Sequence, residues 1–220
     1  MTEAAHDTVD QLARRVDALG RRYLPLQFSE TGEYAPELQD DFRAFRVLAH
    51  AEVEHCLETL SKQAAEQAVV QWRRDQVPTR VVVTLLLAYV PLQLYDLWDA
   101  QASPRIGRPL VVSSSGATPT ADAVVAAGLR EHLKVINDNH GLQSQYVTRL
   151  FQPVGLRRRD FDESWLADLD SFGALRGSSA HTSAIVAKSI NPKDEMDRVQ
   201  RVIAGVRELQ RAVRRVVPGH

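Results

Sequence analysis

Cysteine is nearly missing from this chain of 220 residues, with Cys56 its single thiol, which excludes an intramolecular disulfide framework and any cysteine-based zinc cluster. A reducing compartment suits such a chain, and a cytoplasmic location is expected. Long apolar runs are missing too. The longest, Val81 to Val90, is ten residues and is followed by Pro91, Asp96 and Asp99; it is too short and too interrupted to cross a bilayer, so no membrane partner is expected. Met1 to Leu19 holds no apolar core of a secretory signal, and no processing is expected. Strand-like alternation is almost absent, with Leu110 to Val112 a weak exception. His50, His55, His140 and His181 form no His-Glu-x-x-His pattern, so neither a metal nor a cofactor is expected.

Net charge is small as well, at −1, with 44% apolar and 25% charged residues, the averages of folded globular domains. The balance hides an asymmetry. Residues 1–140 carry 14 basic and 19 acidic side chains, a net of −5, whereas residues 141–220 carry 13 and 9, a net of +4. The C-terminal part can therefore accept a polyanionic partner. Arginine outnumbers lysine by 23 to 4, which fits phosphate recognition and equally fits a GC-rich genome.

What is present is helical periodicity. Leu12, Val16 and Leu19 mark a short amphipathic helix that Gly20 should end, followed by a loop from Pro25 to Pro36. Phe42, Phe45, Ala49, Val53, Cys56 and Leu60 recur every three or four residues on a long helix from about Pro36 to Trp72, stopped by Pro78, with Cys56 an inert core thiol. Thr79 to Ala100 reads as a helix kinked at Pro91. Gln101 to Thr120, rich in Pro, Gly and Ser, reads as an irregular insertion. Helices follow over Ala121 to Asn137, around Val147 to Phe151, from Asp162 onward, and over Met196 to Val217. The expected fold is all-α, a bundle of six or seven helices, with residues 1–35 an N-terminal helix and loop and residues 36–220 the main domain.

Arg176-Gly177-Ser178-Ser179-Ala180-His181 places a guanidinium and an imidazole five residues apart. On an unbroken helix that offset leaves them roughly 140° apart. A turn at Gly177, with Ser178 or Ser179 capping a new helix, would bring both to the anion-attracting start of that helix. Such a pair suits phosphodiester chemistry: the arginine grips phosphate oxygens and the histidine moves a proton near neutral pH. The same residues also read as a salt-bridging surface arginine and a hydrogen-bonded histidine.

Five landmarks occur in order: Leu48-Ala49-His50-Ala51-Glu52-Val53-Glu54, Asn139-His140-Gly141-Leu142, Leu150-Phe151 to Gly155-Leu156, Trp165-Leu166, and Arg176 to His181. The pattern resembles the HEPN superfamily, of the type called RiboL-PSP-HEPN, over about Asp41 to Ser189. The resemblance implies an all-α, metal-independent endoribonuclease that works as a homodimer, its two Arg-x4-His motifs meeting across the subunit interface. Arg176 and His181 match the motif and would be catalytic. The implied reaction is attack of a ribose 2′-hydroxyl on the adjacent phosphodiester, leaving 2′,3′-cyclic phosphate and 5′-hydroxyl ends. The implied setting is a toxin or anti-phage effector acting on cellular RNA, with an antitoxin or defence-system partner. Two positions depart from the family pattern. Gly177 replaces a polar residue, and Ser183 stands where many such toxins carry tyrosine. A catalytically inactive HEPN module that dimerises and binds RNA, nucleotide or protein is the alternative.

Other residues join the site as supporting candidates. His50 and Glu54 share a helix face and could orient His181 or pair with Arg176, or form an ordinary i, i+4 pair. Glu52, nearer the apolar stripe, would need a cation such as Arg176 if buried. Ser178 is a candidate cap. His140 either touches substrate or sits in a helix-ending turn where Gly141 supplies positive φ. Arg157, Arg158 and Arg159 form a candidate RNA-backbone patch or a solvated surface run.

Overall fold

A computed structural model describes residues 4–89, 120–181 and 189–217, with side chains placed for 8–89, 120–175 and 189–217. Its α-helices are α1 (Ala4–Tyr23), α2 (Gln39–Asp75), α3 (Arg80–Tyr89), α4 (Ala121–Asn137), α5 (Ser144–Phe151), α6 (Glu163–His181) and α7 (Pro192–Val216), with 3-10 turns at Pro36–Leu38 and Arg158–Asp160. No strand occurs among the described residues, so the fold is an all-α bundle. No helix among them is long and apolar enough to cross a membrane. Residues 90–119, which hold Pro91, the second half of the expected Thr79 to Ala100 helix, Leu110 to Val112 and all but the last residue of the irregular insertion, lie outside the described residues.

Local chemistry accounts for the helix ends. Thr120 Oγ1 accepts from Ala123 N at 3.3 Å to open α4, and Asp162 Oδ1 accepts from Trp165 N at 2.8 Å to open α6, each supplying an acceptor to an otherwise unpaired N–H. The Ser164 hydroxyl and that N–H hold the Asp162 carboxyl below its ordinary range. Asn191 caps α7, accepting from Lys193 N at 3.0 Å with Pro192 at the first helical position, so this helix starts a turn before Met196. α2 ends before Pro78 is reached: Gln76 turns left-handed at φ 53° and its N–H returns to Trp72 O at 2.7 Å.

α1 corrects one expectation. It runs through Gly20 to Tyr23, and a Cβ on Gly20 would collide with Met196 Cε. The glycine is there for close approach to α7 rather than for termination. With Asp10 Oδ1 3.8 Å from Arg207 Nη2, the two helices run antiparallel. α6 and α7 are antiparallel as well, since the Trp165 indole lies on Gly205 and Arg201 reaches Asp168.

α2 is the axis, packing against each of the other six helices. Phe42, Phe45, Val53, Leu57 and Leu60 fill its apolar contacts, while Ala49, Ala64, Ala65 and Ala68 let neighbouring backbones close in. Cys56 belongs to this core, and burial pushes its thiol up to about 12, where thiolate chemistry is suppressed at neutral pH.

α2 leaves a strip to solvent through Ala51, His55 and Lys62, and the polar residues on its covered sides find partners sideways instead. Gln39 accepts from Ile190 N at 2.7 Å and donates to Ile190 O at 3.3 Å. Arg46 donates from Nε and Nη2 to Glu195 at 2.9 and 2.7 Å, and Arg198 adds a third contact at 2.5 Å. Glu195 is 3% exposed, and truncating one member of such a buried pair strands the other charge. Glu195→Ala should therefore cost about 3 kcal/mol in urea denaturation at pH 7; a loss under about 1 kcal/mol, the value of a solvated pair, would contradict this.

Candidate functional site

α6 carries the Arg-x4-His motif at its C-terminal end, and its backbone remains helical from Glu163 to His181. The expected turn at Gly177 is not formed, and Ser178 lies inside the helix rather than capping one. One glycine lowers helix stability by about 1 kcal/mol relative to alanine, which does not stop a helix that lacks a left-handed residue or a proline. Positions 176 and 181 are consequently about 140° apart around the axis and about 7.5 Å apart along it. Earlier in α6, Leu166, Leu169 and Phe172 form a buried stripe, and position 176 continues it one turn on.

α2 faces this stripe with His50, which is 2% exposed. Its ring centroid lies 5.4 Å from that of Phe172 at an interplanar angle of 38°, and its Nδ1 lies 3.6 Å from Glu54 Oε2. Glu52 is placed otherwise. Two residues past His50, about 200° round the helix, it meets α1 and accepts from Arg15 Nε at 2.8 Å. Among the described residues, Arg15 is the cation that Glu52 engages.

The loop between α4 and α5 closes the same end. Asn139, 9% exposed, donates to Glu58 Oε1 on α2 at 2.9 Å and to Gly141 O at 3.3 Å. Gln143 packs so closely on α6 that a Cβ on Gly173 would lie 3.2 Å from its Cγ. Ser144 donates from N and Oγ to Asp170 at 2.7 and 2.9 Å. His140 stands exposed in the middle of this pinned loop. Gly141 does not take positive φ; its missing Cβ instead admits the Tyr146 ring, which a Cβ would approach to 3.0 Å. His50 and the loop residues Gln143 and Ser144 thus pack on α6 between Asp170 and Gly173, with Glu54 beside His50 and Asn139 tied back to α2.

Arg157, Arg158 and Arg159 are exposed but sit elsewhere. Arg158 is bound to Glu163 at 2.5 Å, at the start of α6, and the 13 residues from there to position 176 span about 20 Å. A groove of about 400 Å³ between α6 and α7 lies at that same distant end, lined by Asp162, Trp165, Asp168, Arg201, Gly205 and Glu208. Asp168 pairs with Arg201 across the seam, Glu208 with Arg211 along α7, and Asp162 caps α6, so its carboxylates are engaged in structural pairs. No three His, Cys, Asp or Glu side chains among the described residues gather as a metal site would require.

No family model, curated protein or solved structure matches this chain. Chemistry at this site is therefore argued from its own residues.

Sequence reading missed His132, which is fully buried on α4. Its Nε2 lies 2.9 Å from Ser61 Oγ and its Nδ1 2.9 Å from Tyr89 Oη. Ser61 donates to Leu150 O at 2.7 Å, so its oxygen accepts from Nε2–H, and in the neutral imidazole Nδ1 accepts from the tyrosine hydroxyl. Burial lowers the His132 pKa from 6.5 to about 4 and raises that of the Tyr89 phenol. These three polar groups tie α2, α3 and α4 together through contacts 71 and 43 residues apart in sequence, which no local motif announces. Below pH 6.5 the unfolded chain binds a proton at this histidine that the folded chain refuses. Stability should then fall by about 1.4 kcal/mol per pH unit, about 3 kcal/mol in all, as pH drops from 6.5 to 4. Urea melts across that range should show this slope in the wild type and its loss in His132→Gln.

Proposed function

We propose that the protein is a HEPN-type, metal-independent endoribonuclease acting as a homodimer, with Arg176 and His181 as its catalytic residues. The observation that supports this reading most is a convergence. His50 on α2 and Gln143 and Ser144 in the loop before α5 all pack on α6 between Asp170 and Gly173, within six residues of the arginine position that opens the motif. A pair diverging by about 140° on one helix is poorly suited to gripping one phosphate alone. Two such helices facing each other across a two-fold axis would offer the arginine of one subunit and the histidine of the other to the same phosphodiester.

In that arrangement His181 takes the proton from the ribose 2′-hydroxyl or returns one to the leaving 5′-oxygen. Arg176 holds the non-bridging oxygens as charge builds on the pentavalent phosphorus. The nucleophile belongs to the substrate, so the protein supplies orientation, charge and proton transfer. The exposed His140, in the loop that packs on α6, would meet the RNA strand, whereas Arg157 to Arg159 would reach only a strand continuing about 20 Å away. The biological reading is a cytoplasmic effector of a toxin-antitoxin or anti-phage system that cleaves cellular RNA and is restrained by a partner protein. The unbroken helix at Gly177 also suits a second reading, an inactive HEPN module that dimerises and binds RNA, nucleotide or protein.

Expression in a bacterial host separates the two. The wild type should arrest growth and generate 2′,3′-cyclic phosphate and 5′-hydroxyl ends in mapped RNA. Arg176→Ala and His181→Ala should each lower cleavage by at least about 10²-fold. Purified wild type that binds RNA without producing such ends would establish the inactive module instead.

A further inference from the structure

The chain between α1 and α2 has a composition of its own. Residues 24–42 hold five carboxylates, Glu30, Glu33, Glu37, Asp40 and Asp41, and neither lysine nor arginine. They also carry large apolar side chains turned to solvent: Leu26 is 93% exposed, and Phe28 and Leu38 are 38% exposed each. One exposed leucine needs no explanation, but three apolar groups this close together form a patch.

The backbone under this patch is fixed. Leu24 is buried in the core. Tyr34 sets its ring edge-on to Phe42, with centroids 5.3 Å apart, and its hydroxyl oxygen accepts from Ser29 N at 3.0 Å. Gly32, at φ 73°, donates its N–H to Ser29 O, and the Ser29 and Thr31 hydroxyls lie 3.0 Å apart in a hydrogen bond. Phe28 is thereby kept next to the contact of Tyr34 with Phe42, and Leu38 stands one helical turn before Phe42. A partner can meet these apolar groups without first ordering the chain that carries them.

Charge decides what that partner is. Arg43 reaches Asp40 at 2.6 Å, and among the described residues no cation pairs with Glu30, Glu33, Glu37 or Asp41. The complementary surface has apolar side chains set among lysines or arginines. Nucleic acid does not fit, because its phosphates would face these carboxylates.

We propose that residues 24–42 form a docking surface for a cationic amphipathic segment of a partner protein. Leu26, Phe28 and Leu38 are its apolar anchors, and Glu30, Glu33 and Glu37 pair with the partner's cations. The proposal stands whether or not the protein cleaves RNA.

A synthetic amphipathic helix of leucine and lysine, about 18 residues long, serves as the probe, with a leucine-glutamate helix of equal length as its control. In fluorescence anisotropy with the full-length protein, the lysine helix should bind with micromolar Kd and the glutamate helix should not. Leu26→Ser/Phe28→Ser and Glu30→Gln/Glu33→Gln/Glu37→Gln should each weaken binding about tenfold. Hydrogen exchange should show peptide-dependent protection within residues 24–42. All five positions are exposed, so both variants keep the fold, which far-UV circular dichroism verifies. Binding that neither variant changes, or protection confined to another part of the molecule, overturns the proposal. So does a wild-type dimer lost in Leu26→Ser/Phe28→Ser by sedimentation, which gives the face to a second copy of the chain. RNA binding weakened by that same variant overturns it too, and gives the face to nucleic acid.

Discussion

The confinement of α2 shapes the rest of the molecule. A 37-residue helix touched by six others keeps only a strip of solvent face, through Leu48, Ala51, His55 and Lys62, so each polar group on its covered sides must be matched by a specific partner. Gln39, Arg46, His50, Glu54, Glu58 and Ser61 lie within a band about 120° wide on an ideal helix. Their partners include the segment entering α7 and α7 itself, α6, the loop before α5, α5 and α4. A shift of α2 by one turn would leave all of these interactions unmet together. The apolar core holds the helices together, and this polar band determines their register.

The helices themselves were legible because their periodicity is local. Phe42 through Leu60 show it over many turns, and Asp162 and Thr120 stand where capping chemistry requires them. Glycine was the poorest guide. Gly155 does occupy positive φ, at 96°, yet Gly20 and Gly141 serve through the absence of a side chain, admitting Met196 and Tyr146, and Gly177 is carried within a helix. Glycine permits a left-handed turn without imposing one; which of its two uses applies depends on a neighbour distant in sequence.

The site shows the same division. That His50 and Glu54 share a face follows from their spacing, and the structure puts both beside α6. That Glu52 turns to Arg15 depends on where α1 docks, and a helix with apolar residues on several sides gives no hint of which neighbour meets which face. His132 was invisible for a related reason: Ser61, Tyr89 and His132 lie on three helices, and only their packing makes a network of them. Arg157 to Arg159 share the positive part of the chain with the motif yet sit at the opposite end of α6, because charge counted along a sequence carries no distance.

The end of α6 brings these points together. Gly177, Ser178 and Ser179 are weak helix formers, so the persistence of the helix to His181 must derive from its flanks. Upstream, Phe172 packs on His50, Gly173 on Gln143, and Asp170 receives Ser144. Downstream, Ile190 is held by both ends of the Gln39 amide and Glu195 by Arg46. Each side has a clamp on the first half of α2, at His50 upstream and at Gln39 and Arg46 downstream. The helical backbone that ends α6 is thus held from α2, and substitutions along that stretch of α2 act on it through packing and charge at a distance along the chain.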